Sequence, residues 1–507
     1  MFIVEKAPVS NLDMRILELN TEYFGITLGM LMQQAGREIA RAIQEHEDID
    51  GSMIAIFCGT GGNGGDGMVA ARHLHEAGAD VELYLVSSED KFSSSDTSDN
   101  WRILQKMDGI FKEALPTESS IKKCKAFNDA DIVVDALLGF GLSSDVREPI
   151  RSAIKKIKKS DAVIYSIDVP SGIDSETGKI WGVAVEADYT ITLHAPKTGL
   201  MNAAKNTGKV IIASIGIPPE AETTCGNGDL WPFTRPRKKF SHKGDFGRIL
   251  VIGGSDVYSG APALTGMASL RSGADLISIL APEPVAPAIR SYSPNLIVES
   301  TGNSILNSEA VERALERAKE NDVVALGPGL GRSEETVSAV HEILEGIAGA
   351  SIPVVVDADG LKAMASSGIS LDPTTSILTP HWGELGVLLG TKLGDSRNLD
   401  ERLLRATEGA VKFNSTILLK GPVDIIVSPD GKHKHNHTGC PAMTVGGTGD
   451  VLTGISAAFL ARGLGAFRAA SAAAFASGRA GEEAFQRFGN HITATDCIEA
   501  LPEVLNR

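Results

Sequence analysis

The chain has 507 residues, more than one hydrophobic core usually supports, so at least two domains are expected. Its formal charge of −16 argues against nucleic acid or an anionic membrane as a partner, because both attract clustered positive charge. Five scattered cysteines without a CxxC pair argue against disulfides or a zinc knuckle, and with no apolar leader they indicate a cytoplasmic protein.

The first half alternates amphipathic helices with short apolar runs. Apolar residues at helical spacing predict a helix over 28–43, and a buried strand follows over 52–59. A glycine-rich loop then leads into a predicted helix over 68–78. Further strands are predicted over 80–87, 130–139, 161–172 and 188–195. The alternation is typical of βαβ units and predicts a doubly wound α/β sheet.

Between residues 218 and 243 prolines are frequent and periodicity is lost, which indicates a boundary. We therefore predict a first domain over 1–220, a linker over 221–240 and a second domain over 241–507. In the second domain a helix is predicted over 261–274, and strands over 246–255, 275–282, 322–329, 352–360, 376–380, 416–422 and 424–429. Both halves are predicted to be α/β domains with separate pockets.

The stretch GTGGNGGDG, residues 59–67, places six glycines between a predicted strand and a predicted helix. Such loops favour phosphate binding, because backbone amides and the helix N-terminus attract anions. Gly59, Gly61 and Gly64 also satisfy GxGxxG, so an NAD-dependent oxidoreductase is one alternative, and a purely structural turn is another. Asn63 and Asp66 add oxygen atoms that can hold an alkali cation or hydroxyl groups.

Two more loops follow predicted buried strands. Asp135 stands at the end of one strand, and Asp168 stands at the end of the next, followed by Ser171. Loops at the carboxyl ends of parallel strands share one edge of the sheet, where ligands bind. Either carboxylate could instead be a helix cap or a turn former.

The stretch VGGTGDVLTG in the second half is the strongest motif. Gly446, Gly447, Thr448 and Gly449 are predicted to form an anion-binding nest that opens a helix, with Asp450 at its mouth. In phosphoryl transfer a nest can stabilise the moving phosphoryl group, and a carboxylate can take the proton of the attacking hydroxyl. A simple helix cap is the alternative role for Asp450.

Three histidines alternate in HKHNH. His433, His435 and His437 would share one face of a strand, as metal ligands sometimes do. They follow the turn signal SPDG, and no cysteine or carboxylate cluster stands beside them. We therefore favour an exposed hairpin strand.

The stretches LMQQAGREIA, GTGGNGGDGMVAARHL, VDALLGFGL and DVPSGID together resemble the NAD(P)H-hydrate epimerase domain. The family usually has two adjacent asparagines where this chain has Gly62 and Asn63. The resemblance implies a Rossmann-like three-layer αβα sandwich, with Asp168 as the proton-transfer group and a potassium ion bound by Asn63, Asp135 and Ser171. It also implies a set of substrate-binding residues: Gly62, Asn63, Gly64, Gly65, Asp66, Gly139, Phe140, Gly141, Leu142, Ser143, Ser144, Asp145 and Asp168.

The nest motif, TPHWGEL, LKGP and LGPGLG resemble the ribokinase-like superfamily and its NAD(P)H-hydrate dehydratase branch. His381 stands where kinases have asparagine, Trp382 replaces a proline, and Cys440 stands where asparagine is common. The resemblance implies Asp450 as the base and Glu384 as an indirect organiser of magnesium. Implied substrate contacts are Ala261, Gly329, His381 and Asp450, and implied nucleotide contacts are Lys420, Gly421, Pro422, Val423, Asp424 and Gly449.

Together the resemblances imply repair of NADHX and NADPHX, the hydrated nicotinamide nucleotides. Epimerisation at C6 and ADP-dependent dehydration are expected, with K⁺ and Mg²⁺ as cofactors, no nucleic acid or membrane partner, and a homo-oligomeric state. The alternatives are a ribokinase-like small-molecule kinase with an accessory nucleotide-binding domain, and a first domain that serves as a non-catalytic scaffold.

Overall fold

The structure is a computed structural model that describes residues 6–506. The chain divides into two compact units, Met1–Pro219 and Glu220–Arg507. No helix in the described part of the chain is both long and apolar enough for a membrane span. The five cysteines are free thiols.

The first unit is built on seven parallel strands in the order β3-β2-β1-β4-β5-β6-β7. These strands are β1 Met53–Cys58, β2 Asp80–Leu85, β3 Phe111–Ala114, β4 Ile132–Ala136, β5 Val163–Ile167, β6 Tyr189–Leu193 and β7 Lys209–Ala213. Its helices are α1 Asn11–Asn20, α2 Leu28–Gln44, α3 Gly62–Glu76, α4 Ser95–Leu104, α5 Glu118–Lys123, α6 Ala126–Asp129, α7 Ile150–Ile157 and α8 Ala204–Thr207.

Helices cover both faces of this sheet. On one face Phe57 of β1 stacks on Phe127 of α6, with ring centroids 4.0 Å apart. On the other face α3 packs so closely that a Cβ at Gly67 would lie 3.0 Å from Cys58 Sγ. Strands buried on both faces are mostly apolar, which is why apolar runs were the correct signal for them, and Asp135 of β4 is a buried polar exception. The predicted three-layer sandwich is confirmed.

The second unit contains nine strands in the order β10-β9-β8-β11-β12-β13-β14-β15-β16, and only β15 runs antiparallel to its neighbours. They are β8 Arg248–Ile252, β9 Leu276–Ala281, β10 Ile297–Ser300, β11 Val323–Leu326, β12 Val354–Val356, β13 Ser376–Leu378, β14 Thr416–Leu419, β15 Asp424–Val427 and β16 His433–Asn436. Its helices are α9 Glu220–Thr223, α10 Asn227–Leu230, α11 Gly260–Arg271, α12 Ala286–Tyr292, α13 Val311–Lys319, α14 Glu334–Gly349, α15 Ala358–Met364, α16 Trp382–Leu389, α17 Leu399–Phe413, α18 Thr448–Leu460, α19 Ala466–Phe488 and α20 Ala494–Leu505.

Alternate strand residues of the second unit enter two separate cores. Val251 and Ile279 belong to the core that α11, α18 and α19 share. Leu250 and Leu280 belong to the opposite core, which α13, α14 and α17 complete. The second unit is thus an α/β domain, as the sequence predicted, with helices on both faces of its sheet.

The predicted linker over 221–240 is wrong for its first part. Helices α9 and α10 lie in this segment, and Cys225, Leu230 and Phe233 are buried in a core of the second unit. Lys434 of β16 also donates a hydrogen bond of 2.7 Å to Asp229, and both side chains are buried. The proline and glycine residues of this segment led to the prediction of a linker. Its apolar residues Cys225, Leu230 and Phe233 nevertheless pack into the core of the second unit.

The histidine segment forms the expected hairpin strand. β16 pairs antiparallel with β15, and the backbone N–H of Cys225 donates to the carbonyl of His435 on the other edge of the strand. The His433 and His435 ring centroids lie 5.6 Å apart. Within residues 6–506, no group of three or more His, Cys, Asp or Glu side chains is arranged to hold a metal ion.

Candidate active sites

A cavity of about 460 Å³ opens where β1, β4, β5 and β6 of the first unit end. Parallel strands bring these ends to one edge, so three loops distant in sequence meet there. The lining residues are Arg15, Glu18, Thr60, Gly61, Gly62, Asn63, Asp66, Leu137, Leu138, Gly139, Phe140, Gly141, Leu142, Ile150, Asp168 and Leu193.

The glycines of residues 59–67 have two different roles. Helix α3 begins at Gly62, six residues earlier than predicted, so most of the loop belongs to the first two turns of the helix. A Cβ at Gly64 would lie 2.0 Å from the Gly59 carbonyl oxygen, and one at Gly65 would lie 2.6 Å from Met32 Sδ. Gly64 and Gly65 do not line the cavity, and they serve close packing, whereas a Cβ at Gly62 would meet no atom within 4 Å.

Asp168 is the central carboxyl of this cavity. It follows β5 with φ = 63°, a left-handed conformation that aspartate tolerates better than most residues. Its Oδ1 accepts from the backbone N–H of Leu193 at 3.2 Å and forms an ion pair with the fully buried Lys197. Strained backbone held by such contacts is frequent at functional sites.

Asp135 and Ser171 lie together, as the sequence predicted. Ser171 Oγ donates to Asp135 Oδ1 at 2.6 Å, and Ser166 Oγ donates to Oδ2 at 2.8 Å. Burial raises the pKa of Asp135, and these hydrogen bonds partly offset the effect. Asn63 approaches from α3, since a Cβ at Gly139 would lie 3.4 Å from Asn63 Oδ1.

A second, more open cavity of about 810 Å³ is lined by residues of the same chain segment. Leu142 and Ile150 line the first cavity, and their sequence neighbours Ser143 and Arg151 line the second. The predicted substrate residues from Gly139 to Asp145 are therefore divided between the two. Arg147, Arg151, Lys179 and Trp181 line the second cavity, and Lys179 Nζ lies 4.0 Å from the Trp181 ring centroid.

In the second unit, α18 begins at the predicted nest. Gly447 caps the helix with φ = 96°, and Thr448 Oγ1 donates to the Met443 carbonyl at 2.9 Å. The first N–H groups of a helix have no partner within it and can bind an anion. A Cβ at Gly449 would lie 3.5 Å from Lys420 Nζ, so a lysine side chain faces the start of the helix.

Asp450 lies in the first turn of α18. Burial raises the pKa of this carboxyl, nearby Asp357 raises it further and Lys420 lowers it, and the result is about 7. Thr265 Oγ1 lies 3.1 Å from the carbonyl oxygens of both Ala261 and Asp450. A Cβ at Gly329 would lie 3.3 Å from Ala261 Cβ, so the predicted substrate residues Ala261, Gly329 and Asp450 lie close together.

Glu384 belongs to the same cluster of charges. Its Oε2 accepts from the backbone N–H of His381 at 3.1 Å, and Lys420 Nζ lies 3.9 Å away. His381 Nδ1 in turn accepts from the N–H of Gly383, so the two side chains cap the N-terminus of α16. Lys420 therefore links Glu384 with Asp357 and faces Gly449.

The predicted nucleotide segment from Lys420 to Asp424 is held by a residue that the sequence did not indicate. Arg402 of α17 is only 2% exposed and donates to the carbonyl oxygens of Val423 at 2.8 Å and Lys420 at 3.3 Å. Asp424 closes the turn, because its Oδ1 accepts from the N–H of Gly421 at 3.0 Å. Burial raises the pKa of Asp424 to about 6.

Sequence analysis also missed Lys197, Glu18 and Asp357. Lys197 lies two residues after a predicted strand, which was a usable signal, whereas Asp357 lies inside the strand predicted over 352–360 and follows β12 only in the structure. Glu18 lies on α1, which was not predicted.

Comparison with known proteins assigns both units. A family profile described as NAD(P)H-hydrate dehydratase matches residues 249–503, and one described as YjeF-related protein N-terminus matches residues 28–199. The bifunctional NAD(P)H-hydrate repair enzyme Nnr of Methanothermobacter thermautotrophicus is 42% identical over 97% of this chain and 94% of its own length. The chain belongs to the bifunctional NAD(P)H-hydrate repair enzyme family.

A second relative has a similar sequence identity and coverage. The enzyme of the same name from Hyperthermus butylicus is 40% identical over 98% of this chain and 92% of its own length. Among solved structures, an ADP/ATP-dependent NAD(P)H-hydrate dehydratase from Bacillus subtilis is 28% identical, covering 54% of this chain and 94% of that one, with a TM-score of 0.47. The predicted resemblance to the repair enzymes is confirmed over both units.

Proposed function

We propose that this chain repairs NADHX and NADPHX through two separate active sites. The first unit interconverts the R and S hydrates at C6, and the second dehydrates the S epimer with ADP, which yields AMP and phosphate. The observation that carries the proposal is the position of Asp450: a carboxyl with a pKa of about 7 stands at a helix N-terminus that Lys420 faces. A base with this pKa and an anion site meet there, as phosphorylation of a hydroxyl requires.

The dehydration follows from these groups. Asp450 takes the proton of the C6 hydroxyl, whose oxygen attacks the β-phosphorus of ADP, and the P–O bond to AMP breaks. The C6–O bond then breaks with its electron pair leaving on phosphate, while the N1 lone pair forms the C=N bond. Loss of a C5 proton restores the C5–C6 double bond. Lys420 and the N–H groups of α18 stabilise the charge on the transferred group.

The carboxylates around Lys420 could supply some of the ligands of a magnesium ion, and the phosphates of ADP would supply others. Asp357, Glu384 and Asp450 offer only carboxylate oxygens, which suit a hard cation, but Asp357 and Glu384 are already engaged with lysine and backbone donors. Mg²⁺ usually binds through one or two carboxylates and the substrate phosphates. Bound there, it would neutralise charge on the phosphates of ADP.

The predicted potassium ligands lie beside the first cavity. Asn63 lines it, and Ser171, which is hydrogen-bonded to Asp135, contacts the lining residue Leu138. Asn63, Asp135 and Ser171 offer oxygen ligands, and Asn63 Nδ2 is a buried atom without a hydrogen-bond partner in the structure. Rotating the Asn63 side-chain amide by 180° would exchange Nδ2 for Oδ1 at that position. Oδ1 could then bind the cation, so no buried polar atom would lack a partner. An alkali cation held there would stabilise the loops that form the cavity.

The larger, open cavity fits the adenosine half of the substrate. Its lining residues Ser143 and Arg151 directly follow Leu142 and Ile150 of the cavity of Asp168, so in our proposal one dinucleotide extends from that cavity into this one. Within residues 6–506 the side chains of Arg147 and Arg151 form no ion pair, although the whole chain is strongly acidic. Two free guanidinium groups favour a phosphate, such as the 2′-phosphate of NADPHX.

The decisive experiment uses the full chain with a prepared mixture of R and S hydrates. With ADP and Mg²⁺, both epimers should yield reduced nicotinamide, with AMP and phosphate as products on anion exchange. ADP produced from ATP, with ADP itself inert, would contradict the donor assignment but keep dehydration. Stable phosphorylated product without reduced nicotinamide would instead indicate a simple kinase. The homo-oligomeric state and the cytoplasmic location stay predictions.

A further inference from the structure

The first cavity contains three carboxyl groups, and only two of them have a cationic partner. Lys197 forms an ion pair with Asp168, and an Arg15 guanidinium nitrogen lies 3.1 Å from Glu18 Oε2. The third carboxyl, that of Asp66, forms no hydrogen bond or ion pair with any residue over 6–506. It nevertheless lines the cavity.

Asp66 reaches the cavity from one face of α3. It lies three residues after Asn63 and four after Gly62, positions that share a helix face, and all three line the cavity. The residue is 8% exposed. Asp66 is therefore a nearly buried carboxyl that lines the cavity and has no hydrogen-bond or ion-pair partner among residues 6–506.

The groups around Asp66 come from four elements. Glu18 approaches from α1, Asp168 and Lys197 from the loops after β5 and β6, and the Cys58 thiol from β1. Burial raises the pKa of Asp66 well above its usual range, the charges of Asp168 and Glu18 raise it further, and Lys197 opposes them. Asp168 and Glu18 are each paired with a cation, whereas Asp66 is not. Because like charges repel strongly in a buried site, this arrangement favours protonation of Asp66.

From this arrangement we infer that Asp66 is the proton donor of the epimerisation, paired with Asp168 as the base. The inference rests on the proposed epimerase activity of the first unit and names a second catalytic residue for it. A neutral carboxylic acid beside an ionised carboxylate is the arrangement that allows two identical groups to act as acid and base.

The C6 centre is a carbinolamine, because C6 carries both the hydroxyl and N1. Asp168 takes the hydroxyl proton, C6=O forms, and the C6–N1 bond breaks with its electron pair on N1. N1 takes the proton of Asp66 and becomes a secondary enamine. Rotation about C5–C6 presents the other face of the aldehyde. Attack of N1 on C6 returns one proton to Asp66 and one to oxygen from Asp168, so nothing is consumed.

Lys197 does not fit the donor role. It is fully buried, it does not line the cavity, and its Nζ donates to both Asp168 and the Leu193 carbonyl, the latter at 2.9 Å. Its charge instead balances that of Asp168. Asp66 is the acid that opens onto the cavity.

The test is Asp66→Asn in the full chain, which keeps the shape of the side chain but removes the transferable proton. The S hydrate with ADP should be dehydrated at the wild-type rate, while recovery of the R hydrate, which requires epimerisation, should fall on the order of 10²-fold or more. Glu76→Gln, at the exposed far end of α3, is the control and should leave both rates unchanged. R-hydrate recovery within twofold of wild type would overturn the assignment.

A second measurement needs no variant. If protonated Asp66 is required, wild-type epimerisation should decline as pH rises past the pKa of Asp66, and Asp66→Asn should lack this decline. A wild-type rate that stays constant up to strongly alkaline pH would contradict the role of Asp66, even if the variant does not fold. A wild-type chain that never interconverts the epimers would instead overturn the epimerase function itself.

Discussion

Lys420 Nζ donates a hydrogen bond of 2.9 Å to Asp357 Oδ1 beside the N-terminus of α18. Thr453 of α18 donates to the other carboxylate oxygen at 2.7 Å. Burial raises the pKa of Asp357, but the Lys420 charge and these hydrogen bonds outweigh it, and the pKa is lowered. Asp357 is therefore an ionised anchor for Lys420, and its charge raises the pKa of Asp450.

Asp357→Asn should lower the pKa of Asp450, because a neighbouring negative charge is lost. The acidic limb of the pH–kcat profile for dehydration should move to lower pH, and the KM for ADP should rise as Lys420 loses its anchor. Asp372→Asn, on an exposed turn, is the matched control. An unshifted acidic limb would show that Asp357 does not act on Asp450.

The dehydration of wild-type enzyme should lose rate below pH 7, since Asp450 must be ionised to act as base and its pKa is about 7. Asp450→Asn should reduce kcat by a factor on the order of 10²–10⁴ and abolish this pH dependence, with nucleotide binding retained. Steady-state kinetics and ADP titration measure the two effects. Turnover like that of wild type would remove Asp450 from the mechanism.

A fragment over 220–507 should fold and dehydrate the S hydrate without the first unit. A fragment over 234–507 should melt at a lower temperature, because it lacks Phe233, which stacks on Phe459, and leaves Lys434 buried without Asp229. Losing one buried phenylalanine side chain costs about 3–5 kcal/mol. Phe233→Ala in the longer fragment isolates that contribution, and equal melting temperatures for both fragments would contradict the assignment of this segment to the core.

Replacing potassium with a large organic cation should slow epimerisation and spare dehydration in the same sample. The proposed ligands are side-chain oxygen atoms, which suit a hard metal cation. A bulky organic cation is too large to be coordinated by them. Recovery of the R hydrate reports the first activity, and S-hydrate consumption is the internal control. Equal R-hydrate recovery in both buffers would exclude a cation requirement in the first unit.

Changing Arg147 and Arg151 together to glutamine should raise the KM for NADPHX in epimerisation more than the KM for NADHX. The two substrates differ by one phosphate, so the ratio of their kcat/KM values isolates that contact. Lys319→Gln, on α13 of the other unit, controls for the loss of one positive charge away from the cavity. Equal effects on both substrates would place the adenosine half elsewhere.

The sequence alone determined the fold class, the approximate positions of most strands and half of the residues that line the cavity of Asp168. Largely apolar runs identified β1, β4 and β5, because strands buried on both faces carry few polar residues, such as Asp135 in β4 and Ser166 in β5. Asp135 was found by its place at the end of β4, and Asp168 by its place directly after β5. Short-range patterns suffice there, since the carboxyl ends of parallel strands always share an edge.

Only the tertiary structure decided which charges meet. Lys197 and Asp168 are 29 residues apart, and Lys420 and Asp357 are 63 apart, so no local pattern links either pair. The protonation of Asp66 depends on burial and on carboxyls from other elements, and the role of Phe233 depends on a core assembled from distant helices. Electrostatic interactions and packing depend on the distances between side chains in the folded protein. The order of residues along the chain does not reveal these distances.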